Sequence, residues 1–249
     1  ANIQYMVDQE TAAAKGGREK GLRAARDAFY LGDIAKKIVA YHKENDGLMT
    51  EEDLASYKTP IEKPLSVKFR NTEVYSCRPW CQGPVLLQML NILEEMDLNA
   101  MGHNSTEYIH CLAETIKLSF ADRERYYGDP DFINVPINQL LSSEFARERR
   151  DKIDFTKAWP ELPPPGEIKG YGGILSTPAT NKYSSISEPD TSYTCTMDKL
   201  GNVCSITPSD VSFESPVIPG LGFCPSARGS QSFAIRGHAS AIAPGKRPR

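Results

Sequence analysis

A hydroxyl that carries its own base is the most specific chemistry this sequence offers. Asp190-Thr191-Ser192-Tyr193-Thr194 opens a strand-like run directly after a long stretch rich in Pro, Gly, Ser and Thr. A threonine hydroxyl is a weak nucleophile at neutral pH and needs a base within reach to take its proton. Cutting the Asp190–Thr191 peptide bond would supply one, because the freed α-amine of Thr191 titrates at about 7.7 to 8.0. Nucleophile and base would then share one residue. The loose segment ahead of the bond would let it adopt a strained geometry for attack by the same hydroxyl, and let the freed end leave.

The partner of Thr191 follows from a turn. The strand is expected to run from Thr191 to Met197, turn through Asp198-Lys199-Leu200-Gly201-Asn202 and return from Val203 to about Thr207. A loop whose last member is Gly201 suits a type I turn closed by a left-handed residue, which pairs Asp198 with Asn202. Counting outward places Thr191 opposite Ser209, where paired Cβ atoms lie about 4.5 to 5.5 Å apart. Pro208 donates no ladder hydrogen bond and could shift this last pair. Pattern alone also fits a surface hairpin whose hydroxyl residues merely suit strands.

The rest of the chain must hold that hairpin. Gly21 to His42 reads as two helices broken at Leu31-Gly32-Asp33, with Asp46-Gly47 ending the second. Thr50 caps a short acidic helix that Pro60 ends. Leu65–Phe69 and Val74–Cys77 alternate as strands joined by Arg70-Asn71-Thr72, and Pro84 opens an apolar, buried helix over Val85–Met96. Asn104 and Glu107 resemble a capping box for a helix ending near Arg125, with Ile109, Leu112, Ile116 and Phe120 as its apolar face. His110 lies one position off that stripe and reads as a flank residue. From Trp159 to Pro189 the composition reads as an exposed, poorly ordered tether. Three regions result: a mainly helical 1–158, a tether at 159–190 and a hairpin-bearing 191–249.

Composition narrows the function classes. A net charge of −3 and a pI near 5.9 give no basic surplus for a phosphate backbone, so nucleic acid is not an expected partner. No run approaches the roughly 18 apolar residues of a membrane helix. The six cysteines are too sparse for a disulfide scaffold. Cys77 and Cys81 come nearest to a metal pair, but they are not spaced as CxxC and have no neighbouring His, so they read as structural. The chemistry at Thr191 calls for no cofactor and no metal.

Two separated motifs resemble the γ-glutamyltransferase family. Ala121-Asp122-Arg123-Glu124-Arg125-Tyr126-Tyr127-Gly128-Asp129-Pro130-Asp131-Phe132 is similar to the family's large-subunit signature, and Asp190–Thr194 with Asp198–Asn202 to the segment where its precursors cut themselves. Phe29–Gly32, Gly47–Leu54, Leu90–Leu93 and Ala243-Pro244-Gly245-Lys246-Arg247-Pro248 match in order. The resemblance implies an α+β fold of the N-terminal-nucleophile hydrolases, part of an αββα sandwich. It makes Thr191 the nucleophile, Ser209 the assisting hydroxyl and the processed enzyme a heterodimer acting on small-molecule amides or peptides. Val211 stands where glutathione-using members carry an Asn, and Arg228-Gly229-Ser230-Gln231-Ser232-Phe233 replaces the acidic pair that grips a substrate α-amino group. Family chains run further at both ends, so this one is expected to be an internal piece. The arginine for the substrate carboxylate would precede Ala1, and the glycine pair of the oxyanion hole would follow Arg249. A cephalosporin- or glutaryl-acylase-like hydrolase and a non-catalytic relative are the alternatives.

Overall fold

The computed structural model describes residues 2–171, 192–207 and 215–248, with the side chain of Ser230 also outside the description. In chain order its elements are α1 (Asn2–Ala13), α2 (Arg18–Tyr30), α3 (Asp33–Glu44), α4 (Glu51–Ser56), β1 (Leu65–Phe69), β2 (Thr72–Ser76), α5 (Gly83–Leu93), α6 (Leu98–Met101), α7 (Thr106–Tyr126), α8 (Ile137–Leu140), α9 (Ser143–Arg150), β3 (Thr194–Met197) and β4 (Val203–Ile206). Both sheets are two-stranded antiparallel hairpins, β1 with β2 and β3 with β4. The residues divide into two compact units, one drawn from 1–61 and 187–228, the other from 62–186 and 229–249.

In the first unit, α2 ends where the sequence leads one to expect. The amides of Leu31 and Gly32 both reach Asp27 O at 2.8 Å, and Gly32 then takes the extended N-cap conformation of α3. A Cβ on Gly32 would lie 2.9 Å from Ala28 O, so the tight junction needs glycine. Thr50 and Asp53 form a reciprocal capping box on α4. Ile34, Ala35, Ile38 and Leu54 close the core together with Ile218 and Leu221, brought in by a turn in which Ile218 N donates to Phe223 O.

The second unit packs α7 and α9 on α5, with β1 and β2 also against α5. The turn between β1 and β2 is tighter than expected: Thr72 already pairs with Phe69, and Arg70 at φ +54° makes the reversal. Pro84 occupies the first turn of α5, whose Val85, Leu87, Ile92 and Leu93 are buried. Leu86 stays exposed, so the helix is not buried all round.

Two expectations about α7 are corrected here. The cap of α7 is Ser105, whose hydroxyl accepts from Tyr108 N, while Asn104 takes a left-handed φ of +57° and leads into it. Its buried face is also not the apolar stripe: Ile109 and Ile116 are 55% and 42% exposed, and only Leu112 and Phe120 pack partly against core residues. The fully buried side carries Cys111, Glu114, Thr115, Leu118, Ser119 and Asp122. The two carboxylates on that side have fixed partners, Lys117 and Trp159 N for Glu114 and Arg149 and Gly166 N for Asp122, which offset the cost of burying them.

A further correction concerns the tether. Residues 159–171 lie along α7 and α9: Trp159 N donates to Glu114, Lys117 Nζ donates to Trp159 O, and Ile168 is buried among Val85, Tyr126, Tyr127, Leu140 and Phe145. Backbone hydrogen bonds to buried side chains order a Pro-rich stretch that has no periodicity of its own. The remainder of the expected tether, 172–190, lies outside the described residues.

Candidate active site and the network that supports it

The β3–β4 ladder pairs Met197 with Val203, Thr196 with Cys204, Cys195 with Ser205 and Thr194 with Ile206. Its turn is built locally. Asp198 N donates to Asn202 O at 3.0 Å, and Gly201 adopts φ +83°. The Asp198 carboxylate accepts from Leu200 N, Asn202 N and Asn202 Nδ2 at 2.8–2.9 Å. These bonds, that from the Asn202 side chain foremost, hold its pKa below the usual carboxylate range. The turn is therefore the one read from the sequence. All eight strand residues are exposed, and Ser205 Oγ donates to Tyr193 Oη at 3.1 Å.

Asp190, Thr191, Ser209 and Val211 lie outside the described residues, so no distance between the two hydroxyls is measured. The stretch expected to replace an acidic pair forms a 3₁₀ turn, Arg228–Gln231, followed by Ser232 N donating to Gly229 O. Arg228 to Phe233 contains no carboxylate. Phe233 then stacks on His238 at 4.2 Å. His110 is held by its Nε2 contact of 2.9 Å with Asp154 O, as a flank residue would be. No group of three His, Cys, Asp or Glu side chains able to hold a metal occurs among the described residues, and no helix there is long and apolar enough to cross a membrane.

Sequence reading gave the Ala121–Phe132 motif no mechanical role, and the structure supplies one. Asp122 is fully buried, ion-paired with Arg149 Nε at 3.0 Å, and accepts from Gln88 Nε2 and from Gly166 N at 2.6 Å. Tyr127 Oη donates to Gln88 Oε1 at 2.9 Å. Burial pushes the Asp122 carboxyl up to about 6 against the pull of Arg149, and pushes the Tyr127 phenol up strongly. Tyr126 Oη donates to Gly166 O at 2.7 Å and accepts from Ile168 N at 3.2 Å, while Arg149 Nη2 donates to Pro164 O at 3.1 Å. Asp122, Tyr126 and Arg149 thus clasp the backbone of 164–168, just ahead of the segment that leads to Thr191.

The same motif meets the last matched one. Arg247 pairs with Asp129 at 2.5 Å and with Asp131 at 2.8 Å, and Arg247 N donates to Asp129 Oδ2 at 2.9 Å. Glu62 and the ring of Trp80 complete its surroundings. Hydrogen bonds from Arg247 hold the buried Asp129 carboxyl below its usual range despite burial. Gly128 is required by proximity, since a Cβ there would lie 2.4 Å from Ala239 O. The acidic Gly128–Asp131 run and the basic Lys246–Arg247 pair were a legible charge match, but over a separation that no local pattern spans.

Comparison with known proteins agrees with these motifs. The family described as "Gamma-glutamyltranspeptidase" matches residues 14–249. A glutathione hydrolase proenzyme of Escherichia coli is 33% identical over 236 residues, covering 89% of this chain and 38% of that protein. An acylase ACY 1 proenzyme of a Pseudomonas species is 33% identical over 226 residues, covering 89% and 37%. The cephalosporin acylase structure from Bacillus halodurans superposes with a TM-score of 0.71 at 30% identity, over 94% of this chain and 39% of that one. The chain thus spans well under half the length of these relatives, and the α+β N-terminal-nucleophile fold expected from its motifs is the one they carry. With its family model matched from residue 14 to its last residue, the chain belongs to the γ-glutamyltranspeptidase family.

Proposed function

We propose that this chain carries the nucleophile region of a self-processing enzyme that cleaves amide bonds of γ-glutamyl or related acyl groups and passes the acyl group to water or an amine. The observation that carries the reading is the hairpin register. If the ladder kept this register for three steps beyond the described Thr194–Ile206 pair, Thr191 would stand opposite Ser209, as the count from the sequence expects. Strand alternation would then bring both to the face of Tyr193, Cys195 and Ser205, where Ser205 Oγ donates to Tyr193 Oη. The word "proenzyme" in the names of the relatives supports processing, and a heterodimer of the two pieces as its product.

In this reading the precursor is cut between Asp190 and Thr191. The new α-amine takes the proton of Thr191 Oγ1 as that oxygen adds to the substrate carbonyl. The proton passes to the leaving amine as the tetrahedral intermediate collapses to an acyl-threonine. Water or an acceptor amine then adds while giving a proton to the α-amine, and Thr191 Oγ1 leaves as that proton is returned to it from the α-ammonium. Ser209 donates a hydrogen bond that orients the nucleophile. Terminal sequencing of the smaller product from the intact protein should read Thr-Ser-Tyr-Thr, and Thr191→Ala should leave a single uncut chain without turnover. Any other terminus, or turnover in Thr191→Ala, refutes the assignment.

A narrower reading, an acylase-like hydrolase of glutaryl-type amides, is favoured by one observation. Arg228–Phe233 offers no carboxylate to an α-ammonium group. Parallel assays on γ-glutamyl-p-nitroanilide and a glutaryl anilide separate the two, and equal or greater activity on the γ-glutamyl substrate removes the narrower one.

A further inference from the structure

Between β2 and α5 the chain makes a closed loop, Cys77-Arg78-Pro79-Trp80-Cys81-Gln82, that the proposed chemistry leaves unused. Its two ends touch. A Cβ on Gly83 would lie 2.5 Å from Ser76 Oγ and 2.7 and 2.8 Å from the backbone N and O of Cys77. Cys81 N donates to Arg78 O at 3.2 Å, and Cys81 Sγ lies 3.4 Å from the same oxygen. This turn carries Cys81 back towards Cys77, near enough for each thiol to feel the other's charge. Both are reduced here, Cys77 exposed and Cys81 half-buried.

We propose that Cys77 and Cys81 form a redox-active pair that closes to an intraloop disulfide on reaction with a low-molecular-weight disulfide. Cys77, open to solvent, attacks one sulfur of RSSR as its thiolate; that S–S bond breaks, and RS⁻ leaves with one sulfur's electron pair. Cys81 then gives up its proton to solvent and attacks the Cys77 sulfur of the mixed disulfide, expelling a second RS⁻. Two thiols and one disulfide become one protein disulfide and two RSH, and two electrons pass from protein to reagent. Burial raises the Cys81 thiol to about 11, which leaves first attack to Cys77; in the second step the short loop holds Cys81 beside the mixed disulfide and offsets its small thiolate fraction.

The loop is also a support. Trp80 Nε1 donates to Glu62 at 2.8 Å with its ring under the Arg247 guanidinium, and Gln82 Oε1 accepts from Arg123 at 2.6 Å. Closing the bridge would fix the platform on which the Arg247 contacts to Asp129 and Asp131 rest.

The hairpin provides an internal control. Cys195 and Cys204 are both exposed, but Cys195 faces Ser205 and Cys204 faces Thr196, so their side chains point to opposite faces and no bridge can form between them. The intact protein is treated with oxidised glutathione and its peptides are mapped by mass. The expected result is a peptide containing Cys77 and Cys81 that lacks two hydrogens, with Cys195 and Cys204 unmodified or singly glutathionylated. Cys81→Ser should stop at a mixed disulfide on Cys77, with circular dichroism confirming an unchanged fold. Cys77→Ser should leave Cys81 unlabelled under the same exposure. Stable glutathionylation of Cys77 in the unsubstituted protein with no bridged peptide would overturn the proposal, as would a bridge from either thiol to another cysteine.

Discussion

Gly166→Ala puts a methyl group where Phe145 Cζ lies 2.6 Å away, Phe145 Cε2 2.7 Å and Arg149 Cδ 3.0 Å. The ring sits among Val85, Tyr126, Tyr127, Leu140 and Ile168 and has no free side to turn towards. Either the ring moves, at the overpacking cost of about 1–3 kcal/mol, or the 164–168 backbone lifts. Lifting stretches the 2.6 Å bond from Gly166 N to Asp122, and a hydrogen bond to a charged group contributes about 1.5–3 kcal/mol. The two routes are alternatives and the cheaper one sets the cost, so the loss should fall at about 1–3 kcal/mol. Urea unfolding reads the total, and amide hydrogen exchange separates the routes. Exchange speeding selectively at residue 166 and Ile168 means the clasp opens locally, while a uniform rise across α7 and α9 means the core gives way. A destabilisation below about 0.5 kcal/mol with unchanged protection at both amides would refute the clasp.

Arg247→Ala should cost about 2 kcal/mol by urea unfolding, because it strips the charged partner from a buried Asp129; the figure is reduced because the guanidinium is a quarter exposed. Arg247→Lys should recover only part of that, lacking the fork that reaches Asp129 and Asp131 together. Asp122 has a folded pKa of about 6, above the unfolded value of about 3.9, so its contribution to stability is greatest below about pH 4 and is lost as pH rises to about 6. The difference between wild-type and Asp122→Asn unfolding free energies should therefore shift by on the order of 3 kcal/mol between those limits, in favour of the variant at the higher pH. A flat or opposite difference curve contradicts the dominance of burial. Ser209→Ala should slow self-cleavage and turnover about 10- to 150-fold, the value of one hydrogen bond of about 1.5–3 kcal/mol to a group gaining charge, with Ser209→Thr retaining much of the rate. Unchanged rates in Ser209→Ala would remove the pairing.

What was legible depended on how far apart the cooperating residues lie. The Asp198–Asn202 turn, the Leu31–Asp33 junction and the Thr50 cap were readable because every partner sits within a few positions. Asn104 was mistaken for the cap of α7 because it and Ser105 are both capping types; only the backbone angle at Asn104 tells them apart. The α7 face was misread for a deeper reason. Apolar periodicity assumes that a helix buries its apolar stripe, whereas Asp122 and Glu114 are buried by partners dozens of residues away. Likewise, the composition of 159–171 is that of a linker, and only Asp122, Tyr126 and Arg149 make it ordered. The Asp190–Thr191 junction, outside the described residues, is proposed from its local hydroxyl pattern and its resemblance to a family.

The division into two units bears on how a cut would be felt. Ile218 and Leu221, from beyond the Asp190–Thr191 bond, fill a cluster whose other members are Ile34, Ala35, Ile38 and Leu54 from before it. Arg247, also from beyond it, neutralises Asp129 from before it. Each piece is thus stitched into both cores. Scission at that bond would be a chemical event without a mechanical release, with no half able to drift away unless two interiors opened at once. A gene split at this codon would then give two products that have to meet while folding, since each would be born with its hydrophobic surfaces half covered.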